Sequence, residues 1–314
     1  MPSGNLTLLD LVTTQRNDIL TGLVEDVTTY APEFGQIPVE TRAGTFYKVA
    51  KRTALPTSQF RVINNGTTAS KSAYAELIKE MFFIDTLINV DEAVIKGQDG
   101  SIGDLWTKEA QGVLQSTLIT IGAQVYYGTS ADANGFAGLR SQLSGTVAAG
   151  GTTNSTSAYL AWMNPWGVHF DVGRDGEIAL PPPMRQQIAA PSPGSGNLFA
   201  WVSNLSCYIG LTVNSSYSVW AITGVTTHQT SSVFDQAAND VNAAALVSLI
   251  PINRRQGLCW FMNRTAYYVL QASRSSLNQQ VAGASGQPAW APPPNLLEGY
   301  PIVVTDSLTN TESN

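Results

Sequence analysis

Residues 41–72 read TRAGTFYKVAKRTALPTSQFRVINNGTTASKS and carry Arg42, Lys48, Lys51, Arg52, Arg61 and Lys71 without a single Asp or Glu. The chain as a whole has a net charge of -6, so this stretch gathers six of its 17 Lys and Arg against the prevailing sign. Residues 45–50 and 59–63 look like two short strands separated by Pro56, and Asn64-Asn65-Gly66 marks a tight turn after the second. A lone two-stranded ribbon is marginal in water, because it buries too little apolar surface to offset the order it imposes. The segment therefore needs a surface to lie on, and its charge demands that the surface be acidic.

The rest of the chain is rich enough to fold. Apolar residues make up 43% and aromatics 9%, which excludes general disorder. Charged residues are only 13%, about half the usual share. Much of the polar surface then rests on Ser, Thr, Asn and Gln, which suits a surface that is covered rather than solvated through charge. That points to assembly. Cys207 and Cys259 sit in apolar surroundings and read as reduced core thiols, not a disulfide framework. The stretch MPSGNLTLLDLVTTQRND lacks a basic start followed by an apolar run, so no secretion signal is expected. No uncharged apolar stretch reaches the roughly 20 residues needed to span a bilayer, so no membrane partner is expected.

Ahead of the basic stretch, residues 1–40 hold Asp10, Asp18, Glu25, Asp26, Glu33 and Glu40 against Arg16 alone. They read as an arm with one short helix near 7–20 and no core of its own. Residues 73–96 are ambiguous. Tyr74, Leu77, Ile78, Met81 and Phe82 fit a helix, whereas Leu87-Ile88-Asn89-Val90 fits a strand. From 103 to 127 the pattern is clear: Trp106, Ala110, Val113, Leu114, Thr117, Ile121 and Val125 recur at helical spacing and Gly128 closes the run. A helix of about 25 residues is roughly 37 Å long. Residues 128–159, rich in Gly, Ser, Thr and Ala, read as a surface connection. Strands are expected near 158–162, 167–172, 207–225, 257–262 and 300–305, helices near 232–250 and 263–275, and a loop at 178–197.

Catalytic chemistry is poorly supplied. His169 and His228 are the two histidines, some sixty residues apart, and His169 reads as packed in a strand. No nucleophile elbow, phosphate-binding loop, dinucleotide turn or Cys-x-x-Cys occurs. Asp171, Asp175, Gly176 and Glu177 resemble a calcium loop faintly, but they lack the alternating acids and closing Glu, which favours a polar turn. Phe46, Tyr47 and Phe60 among the cations have the flavour of single-strand nucleic-acid binding. One ribbon on an anionic body is too few cations to wrap a duplex. No catalytic, cofactor-binding or metal site is expected.

The order of parts resembles the major capsid protein of tailed bacteriophages, the Hong Kong 97-like fold. The segment YLAWMNPWGVHF at 159–170 is similar to that group's strand ending in Trp-Gly-x-x-Gly-Val-His, and CWFMNRTAYYVL at 259–270 to its Tyr-Met-Asn-Arg strand-to-helix step. GYPIVVTDSLTNTES at 299–313 resembles its closing Gly-x-Pro-Ile strand, and GFAGLRSQL at 135–143 its Gly-Leu turn after the spine helix. The similarity covers most of the chain in order. At 178–197 it departs, with three successive prolines where the group has a Gly/Asp-rich turn.

The resemblance implies an α+β fold with an N-terminal arm at 1–35 and an extended loop at 36–72 reaching over a neighbouring subunit. It places a peripheral-domain body at 73–230, with its spine helix at 103–128, and axial-domain elements at 231–314. It implies a structural subunit that assembles through pentamers and hexamers into an icosahedral shell around double-stranded DNA, in the virion, built in the bacterial host cytoplasm. Portal protein and separate scaffolding or decoration proteins are the further partners it implies. The rival readings are a tail-tube or decoration protein, against which the long helix discriminates, and a carbohydrate-active tail-spike enzyme. On this reading Arg42, Lys48, Lys51, Arg52, Arg61 and Lys71 are intersubunit contacts, meeting the acidic arm or the acid-rich segment 76–109 of another copy. Ring contacts are head-to-tail and need complementary patches. An exposed ion pair contributes only about 0–1 kcal/mol, so charge selects orientation while burial holds the shell. Replacing Arg42, Lys48, Lys51 and Arg52 with Glu is expected to leave a folded subunit that fails to form shells.

Overall fold

A computed structural model of the chain describes residues 29, 31–96, 102–151, 154–173, 180–190, 196–226, 236–281 and 292–312, with the backbone alone for 102–105 and 276–281. The short helix expected near 7–20 lies outside these residues. The chain opens with α1 (Glu33–Gln36) and β1 (Val39–Thr41), then a hairpin of β2 (Phe46–Ala54) and β3 (Ala73–Glu80). β4 (Phe82–Asp91) and α2 (Glu92–Lys96) lead into α3 (Ile102–Tyr127). Next come β5 (Gly145–Ala148), β6 (Ser155–Trp162), β7 (Val168–Val172), β8 (Met184–Ala189), β9 (Asn197–Val213) and β10 (Val219–Thr226). α4 (Asp240–Ser248), β11 (Leu258–Asn263), α5 (Arg264–Val281), β12 (Leu296–Leu297) and β13 (Tyr300–Thr305) complete the order.

The largest sheet runs β12-β13-β11-β6-β10-β5. Every residue of β6 and β11 is buried, as expected of strands covered on both faces. On one face Leu160, Trp220, Trp260 and Met262 pack with Leu246 of α4 and Ala266 and Leu270 of α5. On the other, Tyr159, Ala221 and Phe261 meet Ile121, Val125 and Tyr126 from the end of α3, together with Phe170 and Leu211. Those last two belong to the second sheet, ordered β1-β7-β9-β4 with β8 also paired to β9. The long α3 thus ends wedged between two sheets. Its 26 residues span about 39 Å.

The turn after α3 needs glycine at two facing positions. Gly128 has a φ of 56°, and a Cβ added to it would stand 2.2 Å from the backbone nitrogen of Gly138. This close approach explains the Gly in the Gly-Leu motif at 138–139. Residues near both ends of the described chain are tied down nearby. Tyr127 donates from its hydroxyl to Glu312 Oε1 at 2.6 Å, and the Thr305 hydroxyl donates to the buried carboxylate of Glu33.

Several expectations need correction. The ribbon's second strand is β3, not residues 59–63; the helical spacing at 74–82 is overridden by backbone pairing with β2. Residues 55–72 carry no strand. The proline-led loop at 178–197 contains β8, which pairs with β9 from Met184↔Val202 to Ala189↔Asn197. The small-residue connection at 128–159 contains β5, whose Gly145 lies close against Trp220. Strand signal at 207–225 resolves into β9 and β10, split at Asn214–Ser218. The described part of the helix expected from 232 starts at Asp240, capped by the Asn239 side chain accepting from the Asn242 amide.

Candidate assembly interface

The ribbon alternates along its length, and alternation sorts its cations. On β2, Tyr47, Val49 and Lys51 are half-buried while Phe46, Lys48, Ala50 and Arg52 are exposed. One face looks at the protein's own body and the other looks away.

The inward face is fixed chiefly by one rung. Tyr47 lies opposite Lys79 across the hairpin. The Tyr47 hydroxyl donates to Asp171 Oδ2 at 2.7 Å, and Lys79 Nζ donates to the Val213 carbonyl at 2.9 Å. β1 pairs in parallel with β7, setting Glu40 beside Asp171. Arg42, just past β1, donates from Nε to Asp171 Oδ1 at 3.2 Å and also bonds Glu40, and its guanidinium lies 4.7 Å from the Tyr47 ring centroid. Thr212 adds a hydroxyl to the same carboxylate, and His169 Nε2 stands 3.3 Å from it. Asp171 is 1% exposed and His169 fully buried. Burial alone would raise the Asp171 carboxyl; the nearby His169 imidazole and the hydrogen bonds from Thr212 and Tyr47 outweigh it and hold the group below the usual carboxylate range. The same burial pushes the Tyr47 phenol up to about 12 and the Lys79 ammonium below its ordinary value.

Asp171 is therefore the anchor of the ribbon root, a role the sequence reading missed. The signal was there. In Val-His-Phe-Asp-Val, His169 and Asp171 are two polar residues at i and i+2 on one side of an otherwise apolar strand, and such residues demand partners. Glu40, His169 and Asp171 also bring potential metal-ligating atoms within 4.8 Å of one another. The Arg42 guanidinium bonds both carboxylates, which makes that cluster a structural hub.

The six cations divide into three pairs. Arg42 and Lys51 serve the chain's own body, Lys51 by a hydrogen bond to Ser216. Lys48 and Arg52 stay on the outward face, where Lys48 pairs with Glu76 at 2.6 Å and Arg52 with Tyr74 at 3.3 Å. Arg61 and Lys71 lie on the exposed tip; Arg61 donates at 2.9 Å to the Asn65 carbonyl of its own turn. Below the ribbon an open cleft of about 790 Å³ separates β2 from Trp166, residues 214–217 and Arg254. Leu55, Phe60, Val62 and Ile63 of the tip are all exposed, Phe60 completely.

The fold is similar to that of bacteriophage capsid proteins. A chain of the structure of Bacteriophage Epsilon15 superposes with a TM-score of 0.72 at 17% identity, covering 100% of this chain and 98% of that one. A chain of the bacteriophage JBD30 capsid, decorated with minor capsid protein trimers, gives 0.53 at 12% identity over 96% and 98%. A chain of Mycobacterium phage Adephagia gives 0.51 at 11% identity over 70% and 98%. No curated protein matches the chain by sequence. The α+β Hong Kong 97-like architecture expected from the sequence is the one observed. The family described as Major capsid protein GP7 matches residues 34–314. With nearly the whole described chain inside that match, the protein belongs to the Major capsid protein GP7 family and is a structural subunit of the phage shell.

Proposed function

We propose that the subunit closes its shell by laying the β2–β3 ribbon across a neighbouring copy, within pentamers and hexamers. The observation that carries this is a ribbon fixed at its root and bare at its tip. Tyr47 and Lys79 set its direction from inside the chain, while Leu55, Phe60, Val62 and Ile63 lie exposed at its end. Exposed apolar clusters on a protein surface mark interaction sites. With β3 included, the extended loop runs from 36 to 80. Residues 1–35 act as the arm, α3 as the spine of a peripheral domain, and α4 and α5 as parts of an axial domain. The virion is the protein's destination, and assembly takes place in the host cytoplasm. Portal protein, and scaffolding or decoration proteins where used, are further partners. At a net charge of -6 the shell confines DNA by enclosure rather than by strong contact. No described helix is long and apolar enough to cross a membrane.

The decisive variant leaves Arg42 alone, because that residue serves Asp171 within one chain. Lys48→Glu, Arg52→Glu and Lys71→Glu together reverse the outward face and the tip. We expect a subunit with an unchanged circular dichroism spectrum that forms no closed particles by negative-stain electron microscopy. Normal particles from this variant refute the ribbon's role.

A further inference from the structure

We propose that residues 59–63 at the tip of one copy's ribbon add as a strand to the open edge of β4 in a neighbouring copy, with Arg61 set against Asp85. This rests on the reading that the ribbon crosses a second subunit, and it names the receiving surface.

β4 is an edge strand. It pairs with β9 along its full length, from Phe82↔Ile209 to Asp91↔Ala200, and ends its sheet. Among the described residues no strand pairs its other edge, and no backbone hydrogen bond to a loop covers it. Ten residues of open edge are a liability that proteins usually blunt or cover. β4 does neither. Phe83 and Leu87 stand exposed on its outer face, and Phe83 packs against Tyr208 of β9 with ring centroids 5.0 Å apart.

The tip is the complementary orphan. Gln59-Phe60-Arg61-Val62-Ile63 has the composition of a strand yet pairs with nothing among the described residues. Strand addition supplies the missing backbone partners to both segments, and side-chain alternation supplies the specificity. The alternation fits. On β4, Phe83, Asp85 and Leu87 face outward, while Ile84 and Thr86 face the body. Setting Arg61 opposite Asp85 puts Ile63 opposite Leu87 in a parallel pairing, or opposite Phe83 in an antiparallel one. Either direction also sets Phe60 or Val62 opposite Ile84 on the inner face. There an apolar cavity of about 80 Å³, lined by Phe82, Ile84, Ile121, Phe136 and Ile209 among others, opens beside the strand.

Charge decides between occupants. The edge carries Asp85 and Asp91, which repel the acidic arm with its Asp10, Asp18, Glu25 and Asp26, and repel nucleic acid as well. The tip brings Arg61. Apart from a 3.4 Å contact from the Asn204 amide, no hydrogen bond or ion pair engages the Asp85 carboxylate among the described residues.

A charge exchange tests the pairing. Arg61→Glu and Asp85→Arg each place like charges together and should lower particle yield at least about tenfold, since a weak contact repeated around a shell is amplified. The double variant Arg61→Glu/Asp85→Arg restores the pair, and its yield should return to within about threefold of the parent. Both positions are exposed, and circular dichroism of the free subunits checks their folding. As a second measurement, Arg61→Cys and Asp85→Cys chains are mixed in a Cys207→Ala/Cys259→Ala background, and chain-to-chain disulfides should form in the assembled particles. Single variants that assemble normally, a double variant that stays defective, or particles without the disulfide would overturn the β4 edge as receiver. If the Lys48/Arg52/Lys71 variant still fails to assemble in that case, the ribbon's crossing stands and only its landing site is wrong.

Discussion

The mixed central sheet and the antiparallel ribbon are both β-structure in one chain, and they are held by opposite means. β6 and β11 bury every residue between α3 on one side and α4 and α5 on the other. Trp260 sits there fully buried, its indole donating to the Leu297 carbonyl at 3.0 Å. The ribbon has an alternating, half-exposed β2, a still more exposed β3 and few anchors, the Tyr47–Lys79 rung and the bond from Lys51 to Ser216. The body finds its apolar partners within the chain, whereas the ribbon's tip finds none among the described residues. The difference teaches where folding ends and assembly begins: stability of the subunit resides in the sheet, and the capacity to recognise a neighbour resides in what the sheet leaves unsatisfied.

The sharpest way to break that contrast is to truncate one large side chain in each region. Trp260→Ala should lower subunit stability by about 3–5 kcal/mol in urea unfolding, because it opens a cavity in a fully packed layer and orphans a backbone acceptor. Phe60→Ala should leave the subunit's unfolding within about 0.5 kcal/mol of the parent while reducing particle formation. A Phe60→Ala subunit destabilised on the scale of Trp260→Ala would mean that the tip folds back on its own chain in solution.

The joint between the two regions gives the next largest effect. Asp171→Asn keeps the shape but removes the charge that Arg42, Tyr47 and Thr212 address, and hydrogen bonds to charged groups contribute about 1.5–3 kcal/mol. Hydrogen exchange should quicken at β2 and β3 and stay unchanged at β6 and β11. The carboxyl's lowered pKa in the folded state sets the sign of the pH response. Its stabilisation is fully present above the ordinary Asp value of roughly 3.9 and is lost as pH falls through the depressed folded value. The ribbon root should therefore loosen in acid below about pH 4, and Asp171→Asn should flatten that step. Equal acid sensitivity in parent and variant would place the controlling carboxylate elsewhere.

The sequence revealed these regions unevenly, for physical reasons. α3 was legible because its apolar residues recur at helical spacing over 26 residues, and the two buried strands because each contains a continuous apolar run, at 158–162 in β6 and 258–262 in β11. β3 was not. Tyr74, Leu77 and Ile78 carry a helical spacing by chance of composition, and only the pairing with β2, a non-local demand, decides the matter. β8 hid behind three prolines because its stability comes from β9 rather than from its own Met-Arg-Gln-Gln-Ile-Ala. The cations of 41–72 were visible as a cluster, but their division into inward, outward and tip pairs depends on strand phase. The anchoring role of Asp171 escaped notice because Arg42, Tyr47 and Thr212, which bond it, lie 41 to 129 residues away along the chain.

The smallest effect expected is also the one that tests what the ribbon's charge is for. Lys48 and Glu76 pair at 2.6 Å on the outward face, with both side chains more than half exposed. Solvent screens such a pair and side-chain entropy opposes it, so Lys48→Ala should not move the urea midpoint of the subunit measurably. If the outward cations select a neighbour, the same variant should assemble more slowly at low salt, and its rate should depend less steeply on ionic strength than the parent's. Light scattering across a salt series reads both quantities. A shift in the urea midpoint matching that of Asp171→Asn would show that the outward charges, like Arg42, hold the ribbon to its own chain. The division of the six cations by strand face would then be wrong in its central pair.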